Sequence, residues 1–357
     1  MTPIKVLIVD DSALVREVIS ELLSEDKAIQ VVGTAVDPFD ARDKIKQLKP
    51  DVLTLDVEMP RMDGITFLRN LMRLNPMPVV MLSSLTHEGA DVTLQALEIG
   101  AVDYIPKPRT DDNAAVFHAF QNDLISKIKA AASSATKIKF HQRNSIRPTA
   151  KQTTGFKFAA DRLQIVAIGA STGGTEAIAD LLSKLPANMP PIIITQHIPA
   201  SFSSRFAKRL NNITPLTVKE ASDREPILAG HVYVAPGNRH LTAIKQGAKL
   251  VCKLLDTEEV NRHKPSVEVM FNSLNKVTPW RVTAILLTGM GEDGSLAMKP
   301  LADAGSLTIA QDEATSLVWG MPGAAVRYQS AKEIISLPKM PQRLLAALSD
   351  NSQGKAS

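Results

Sequence analysis

Residues 4–24 read IKVLIVDDSALVREVISELLS, and this stretch decides the fold of the first half of the chain. An apolar, β-branched run stops at Asp10 and Asp11, which reads as a strand buried on both faces. After Ser12, Leu14, Val18 and Leu22 recur at helical spacing. A doubly buried strand followed at once by an amphipathic helix is the repeating unit of a parallel sheet covered by helices. The same alternation continues outward. QVVGTAV (30–36) is strand-like, and DPFDARDKIKQL (37–48) opens a helix with Asp37 as N-cap before Pro38. DVLTLD (51–56), PVVMLSS (78–84) and VDYI (102–105) read as strands, with helices at 64–74, at 88–101 and from the last strand to about residue 131. Five strand–helix units predict an α/β domain with a five-stranded parallel sheet over residues 1–131.

Residues 132–160 break this rhythm. They are rich in Ser, Thr, Lys and Gln, show no sustained period and read as a linker. A second α/β pattern runs from Leu163, giving an expected domain over 161–350 and a polar tail at 351–357. LQIVAIGAS (163–171), PIIITQH (191–197), VTAILLTG (282–289) and SLTIAQD (306–312) are its apolar strands. HVYVAP (231–236), HLTAIK (240–245) and AKLVCKL (248–254) look like hairpin strands, with turns at Gly237–Asn238 and Gln246–Gly247. The expectation is a mostly parallel sheet with an antiparallel hairpin portion.

Charge is uneven along the chain. Residues 1–130 carry 14 Lys+Arg against 20 Asp+Glu, while residues 131–160 carry 6 basic and no acidic residues. The basic excess is a short solvated connector and no broad nucleic-acid face, and no compact helix-turn-helix pattern follows the first domain. The single cysteine, Cys252, excludes an intrachain disulfide and a Cys-rich metal site. No apolar stretch reaches the roughly 18 residues of a membrane span. A cytoplasmic protein without membrane insertion is expected.

Several polar residues fall at the C-terminal ends of successive strands, where ligands bind in this architecture. Asp10 and Asp11 follow the first strand, Asp56 ends the third, Ser83 the fourth, and Lys107 follows the fifth. Converging carboxylates repel one another unless a cation sits among them, and an oxygen-loving ion such as Mg2+ suits them. Taken singly, Asp11 before SALV reads equally well as a helix cap. In the second half, Gly169-Ala170-Ser171-Thr172-Gly173-Gly174 joins a strand to a helix and satisfies G-x-S-x-G, a form that exposes a nucleophilic serine. The same glycines suit a phosphate cradle, although no P-loop lysine follows. His197 ends PIIITQH, and Asp293 lies in LLTGMGEDG beyond the most apolar strand, with Glu292 beside it as a competitor. His231, His240 and His263 fit a base role less well, the latter two lying in polar loops. The order Ser171, His197, Asp293 differs from the Ser, Asp/Glu, His order of α/β-hydrolases.

With VDDS, LDVEMPRMDG, MLSS and KP in order, residues 1–130 resemble a two-component receiver domain of flavodoxin-like fold. That resemblance implies Asp56 as phosphoacceptor and a Mg2+ site served by Asp10, Asp11, Asp56 and the Glu58 carbonyl. It also implies Ser83 and Tyr104 as a switch pair, Lys107 as phosphoryl contact and a cis Lys107–Pro108 bond. With GASTGG, QHIP and TGMGEDG added, nearly the whole chain resembles the chemotaxis-specific protein-glutamate methylesterases. NRHKPSVEVMF (261–271) and VAPGNRH (234–240) carry the likeness further. The resemblance implies a Ser171/His197/Asp293 esterase with the Met290 N–H in the oxyanion site and no cofactor in the catalytic domain. The implied substrates are methyl-accepting chemotaxis receptors, with deamidation of receptor glutamines as a second activity. The implied phosphodonor is the chemotaxis histidine kinase, and phosphorylation is expected to activate by uncovering the cleft around Ser171.

Overall fold

A computed structural model describes residues 2–59, 62–83, 87–108, 113–135 and 163–349. The chain divides into two compact units, Met1–Ile146 and Arg147–Ser357. The expected linker, except for residues 132–135, and the polar tail lie outside the described residues.

In the first unit, β1 (Ile4–Val9), β2 (Ile29–Ala35), β3 (Val52–Asp56), β4 (Val79–Ser83) and β5 (Asp103–Pro106) form one sheet in the order β2-β1-β3-β4-β5. Every described pairing in it is parallel. Helices α1 (Ala13–Ser24), α2 (Pro38–Leu48), α3 (Gly64–Leu74), α4 (His87–Ile99) and α5 (Ala114–Ser133) alternate with the strands. Val6, Leu7, Ile8 and Val9 are fully buried, as a strand covered on both faces requires. Burial of each such side chain stabilises the fold by roughly 1.5–3 kcal/mol before ordering entropy is counted. Asp37 caps α2 as expected, accepting from the N–H groups of Phe39 and Asp40. Helix α1 is capped by Ser12, whose hydroxyl accepts from Val15 N–H, so Asp11 is not the cap.

The second unit has seven parallel strands: β6 (Gln164–Ala170), β7 (Ile192–Gln196), β8 (Thr217–Glu220), β9 (His231–Val234), β12 (Arg281–Leu286), β13 (Leu307–Gln311) and β14 (Glu333–Ile335). Their order is β14-β13-β12-β6-β7-β9-β8. A separate antiparallel pair, β10 (His240–Gln246) and β11 (Lys249–Leu255), turns through Gly247 and Ala248, one residue later than expected, because Gln246 still pairs with Lys249. The helices are α6 (Gly174–Leu182), α7 (Ala200–Ile213), α8 (Val267–Leu274), α9 (Met298–Asp303), α10 (Met321–Arg327) and α11 (Met340–Ser349). Leu241, Ala243, Leu250 and Cys252 of the hairpin share one core with Val267, Met270 and Phe271 of α8.

One expected hairpin strand is corrected. HVYVAP belongs to the main sheet, where β9 runs parallel between β7 and β8. The physical reason is burial: Val232, Tyr233 and Val234 are all enclosed, as in a strand covered on both faces. Strand β10 is instead enclosed only over His240–Ala243 and open over its last three residues.

From β6 the chain builds β7, β8 and β9 on one side, then returns to place β12 on the other. The reversal of direction between β6 and β12 is a topological switch point, where loops part and open a crevice at the carboxyl edge. In the first unit the reversal falls between β1 and β3.

Candidate active site and acidic pocket

Three neighbouring strands, β12, β6 and β7, carry Asp293, Ser171 and His197 beyond their carboxyl ends. The register pairs Gly169 with Thr195 and Ala170 with Gln196, so Ser171 and His197 stand one step past paired residues. The His197 N–H donates to the Ala170 carbonyl at 3.2 Å, and the Gln196 amide donates to the Ser171 carbonyl at 3.0 Å. Ser171 begins the turn into α6, and its own N–H donates to the Thr288 carbonyl at 3.0 Å. Gly173, at φ +74°, makes the left-handed step that such a sharp turn needs. On the other side Gly289 admits the loop after β12. A Cβ at Gly289 would lie 2.8 Å from Ser171 Cβ and 2.4 Å from Met321 Sδ. Met290 follows Gly289 in this loop, and its N–H has no hydrogen-bond acceptor among the described residues.

The histidine and the aspartate are joined directly. His197 Nε2 lies 2.9 Å from Asp293 Oδ2. A carboxylate is an acceptor only, so Nε2 carries the proton and Nδ1 presents its lone pair. Nδ1 is buried and has no hydrogen-bond partner. This is the unprotonated nitrogen that a base acting on Ser171 needs.

Asp293 sits on the N-terminus of α8. Val267 N–H donates to it at 2.6 Å, Glu268 N–H at 3.2 Å, the Ser266 hydroxyl at 2.8 Å and the Asn261 amide at 2.8 Å. Burial by itself would raise this carboxyl. The His197 hydrogen bond and the charge that ring carries when protonated, with the Asn261 and Ser266 bonds, outweigh it and hold the carboxyl down at about 2. A helix N-terminus adds its own preference for an anion. Glu292 does not compete for His197: it is turned outward to Arg327 and the Tyr328 hydroxyl, both at 2.6 Å.

At the carboxyl edge of the first sheet, ligand oxygens of Asp10, Asp11 and Asp56 lie within 4.8 Å of one another. Lys107 bridges two of them, with Nζ 2.7 Å from Asp10 and 2.9 Å from Asp56. Burial pushes Asp56 up to about 6. Lys107 pulls against that and Asp10 reinforces it. A set of three carboxylates with one lysine is compatible with a hard divalent cation such as Mg2+. Ser83, enclosed at the end of β4, accepts a hydrogen bond from Thr93 Oγ1 at 2.7 Å. Tyr104 is buried, and Lys127 Nζ lies 5.4 Å from its ring centroid. The Lys107–Pro108 bond expected to be cis is not so: the cis bonds among the described residues are Lys264–Pro265 and Thr278–Pro279. Lys107 reaches both carboxylates without it.

Residues 166–344 match the family model for CheB methylesterase, and residues 6–116 match that for the response regulator receiver domain. A protein-glutamate methylesterase/protein-glutamine glutaminase of Hydrogenovibrio crunogenus is 48% identical, over 98% of this chain and 100% of that one. The chain belongs to the CheB methylesterase family. A relative of the same description from Hahella chejuensis is 51% identical, over 94% of each chain. The solved CheB methylesterase catalytic domain of Thermotoga maritima is 35% identical and covers 51% of this chain and 97% of its own, with a TM-score of 0.50.

Within this CheB-family chain the structure gathers Ser171, His197 and Asp293 at one edge, and Asp10, Asp11, Asp56 and Lys107 at another. Sequence reasoning missed what surrounds Asp293. Asn261, Ser266 and the first amides of α8 come from nearly 30 residues upstream. The available signal was Ser266 as a cap before VEVMF, and it caps α8 by accepting from Val269 N–H. His263, in the loop before α8, stacks on His197 with ring centroids 3.6 Å apart. His240 is also part of the support: it accepts from Ser266 N–H at Nδ1 and so donates from Nε2 to the Glu258 carbonyl.

Proposed function

We propose that the chain hydrolyses methyl esters on glutamate side chains of methyl-accepting chemotaxis receptors and deamidates receptor glutamines, with Ser171 as nucleophile, His197 as base and Asp293 as its fixed anion. The observation that carries this reading is the His197 ring, bonded through Nε2 to Asp293 and unpaired at a buried Nδ1, on a residue whose N–H is bonded to Ala170, the neighbour of Ser171. His197 Nδ1 takes the proton of Ser171 Oγ as the oxygen attacks the ester carbonyl. Asp293 stabilises the imidazolium and holds its orientation without taking the proton. The oxyanion is received by the Met290 N–H and the N-terminal end of α6. The tetrahedral species collapses, the C–O bond breaks, and methanol leaves with the proton returned by His197. Water, deprotonated by His197, then attacks the acyl-Ser171 ester and releases the glutamate carboxyl. With glutamine the C–N bond breaks and ammonia leaves. The catalytic domain is proposed to use no cofactor.

The first unit is proposed to act as a receiver. Asp10, Asp11, Asp56 and the Glu58 carbonyl would hold Mg2+, whose charge would neutralise oxygens of an incoming phosphoryl group. An Asp56 oxygen attacks the phosphoryl group carried on a histidine of the kinase, the P–N bond breaks and the imidazole leaves. Lys107 contacts the product, Ser83 binds it, and Ser83 with Tyr104 forms the switch. A phosphoryl group changes the charge at Asp56 by about −1 at neutral pH, and this activates the esterase. The proposed location is the cytoplasm, where kinase and receptor signalling regions meet, and no described helix is long and apolar enough to cross a membrane.

Methanol release from methylated receptor membranes tests both halves. Wild type should release methanol, Ser171→Ala should not, and stimulation by a small phosphodonor should vanish in Asp56→Ala while basal release remains. Full activity in Ser171→Ala would overturn the esterase assignment, and stimulation of Asp56→Ala would overturn the receiver assignment.

A further inference from the structure

The turn Val260-Asn261-Arg262-His263 leads into α8 (Val267–Leu274). Val260 N–H donates to the His263 carbonyl at 3.1 Å, and His263 N–H donates back at 3.0 Å. Between them Asn261 and Arg262 have φ of +55° and +65°. Consecutive left-handed residues make the turn that ordinarily takes Asn-Gly, so an arginine in the second place is strained and must be held by its surroundings. This turn delivers two contacts to the site. Asn261 donates to Asp293 Oδ1 at 2.8 Å, and the His263 ring lies 18° from parallel over the His197 ring, centroids 3.6 Å apart.

We propose that His263 is a positioning residue for the esterase, a flat platform that fixes the ring plane of His197. The inference rests on the Ser171/His197/Asp293 reading and deepens it. His197 is tied at one ring nitrogen only, and a single hydrogen bond leaves the ring free to tilt about its axis. Nδ1 has to stay unpaired for its proton-transfer work, so a second hydrogen bond there would compete with Ser171. A stacked ring restrains the tilt without engaging either nitrogen. The platform itself is anchored from below. The buried His240 ring accepts from Ser266 N–H at 3.1 Å and donates to the Glu258 carbonyl at 2.9 Å, tying together both ends of the segment that carries Asn261 and His263. One buried ring thus braces the turn, and the turn braces both partners of Ser171. Pre-organisation of this kind matters because a small misplacement of a reacting group is expensive in rate.

The test uses the full chain with phosphodonor and methylated receptor membranes. His263→Ala should lower kcat about 10- to 100-fold, with KM within about twofold of wild type. His263→Leu, which fills the space without a flat face, should behave like alanine and guards against a cavity effect on folding. His263→Phe should keep most of the activity. A second readout does not depend on the substrate: the low-field proton resonance of His197 Nε2–H bonded to Asp293 should be sharp in wild type and His263→Phe and broadened in the other two. Wild-type kcat in His263→Ala, or His263→Phe as slow as His263→Ala, would overturn the platform. Full activity in a parallel Ser171→Ala sample would instead overturn the esterase reading beneath it.

Discussion

Asp56 and Asp293 occupy the same kind of place in two different sheets, and their surroundings drive them in opposite directions. Both are buried on the carboxyl side of a central parallel strand beside a switch point, Asp56 as the last residue of β3 and Asp293 in the loop after β12. Asp56 meets another carboxylate and one shared lysine, and it is pushed up to about 6. Asp293 meets a helix N-terminus, a hydroxyl, an amide and an imidazole, and it is held at about 2. Burial acts alike on both, so the difference comes from the donors. A carboxylate left short of donors suits an exchange of cation and phosphoryl group. One saturated with donors is a fixed negative charge that can steady a histidine through repeated protonation.

Removing the fixed charge should have the largest effect. Asp293→Asn keeps the shape but turns an amide toward N–H donors and loses the anion, and kcat for methanol release should fall about 10⁴-fold. A fall of less than tenfold would show that His197 does not depend on this charge.

The next effect is one of stability, in protein stripped of divalent cations. The folded pKa of Asp56 is raised from 3.8 to about 6. The folded state therefore holds this proton more tightly than the unfolded chain does. The contribution is stabilising below about pH 4 and lost as pH rises through 6, an integrated change of roughly 3 kcal/mol. Asp56→Asn should accordingly stabilise the metal-free first unit at pH 7.5, and Mg2+ should flatten the pH dependence of the wild type. Calorimetry with and without chelator checks both, and an unchanged or lowered transition in Asp56→Asn would contradict the assignment.

Asp293 has the opposite sign and a slightly smaller size. Its folded pKa is lowered from 3.8 to about 2. Its stabilisation is complete above about pH 4 and is lost as pH falls toward 2, by roughly 2 kcal/mol. Both tryptophans, Trp280 and Trp319, lie in the second unit, so tryptophan fluorescence in urea reads that unit alone. Asp293→Asn should remove this part of the acid sensitivity. The smallest effect belongs to Glu292→Gln. Glu292 faces outward to Arg327 and Tyr328, and exposed pairs contribute about 0.2–1 kcal/mol. Methanol release should stay within about twofold of wild type, which separates neighbouring acids by geometry alone.

The strand-end chemistry was legible in the sequence because a parallel strand followed by a helix fixes which end of the strand faces the crevice. Asp10, Asp56, Ser171 and His197 could be placed on their edges from local pattern. Strand order was not legible: nothing in HVYVAP tells a parallel strand from one arm of a hairpin until both its faces are covered. The donors around Asp293 were hidden for a similar reason. Asn261 and Ser266 meet it, and His263 meets His197, only through the packing of α8 and the turn before it, and no spacing rule links residues so far apart. The outward turn of Glu292 is likewise a tertiary fact.

Covalent labelling of Ser171 tests the central claim most directly. Treated with an organophosphonate, wild type should carry the adduct on Ser171, located by mass spectrometry of the peptide spanning residues 163–184. Labelling of Asp293→Asn should be slower by about the factor lost in kcat. An adduct on another residue, or equal labelling rates in the two proteins, would contradict the account.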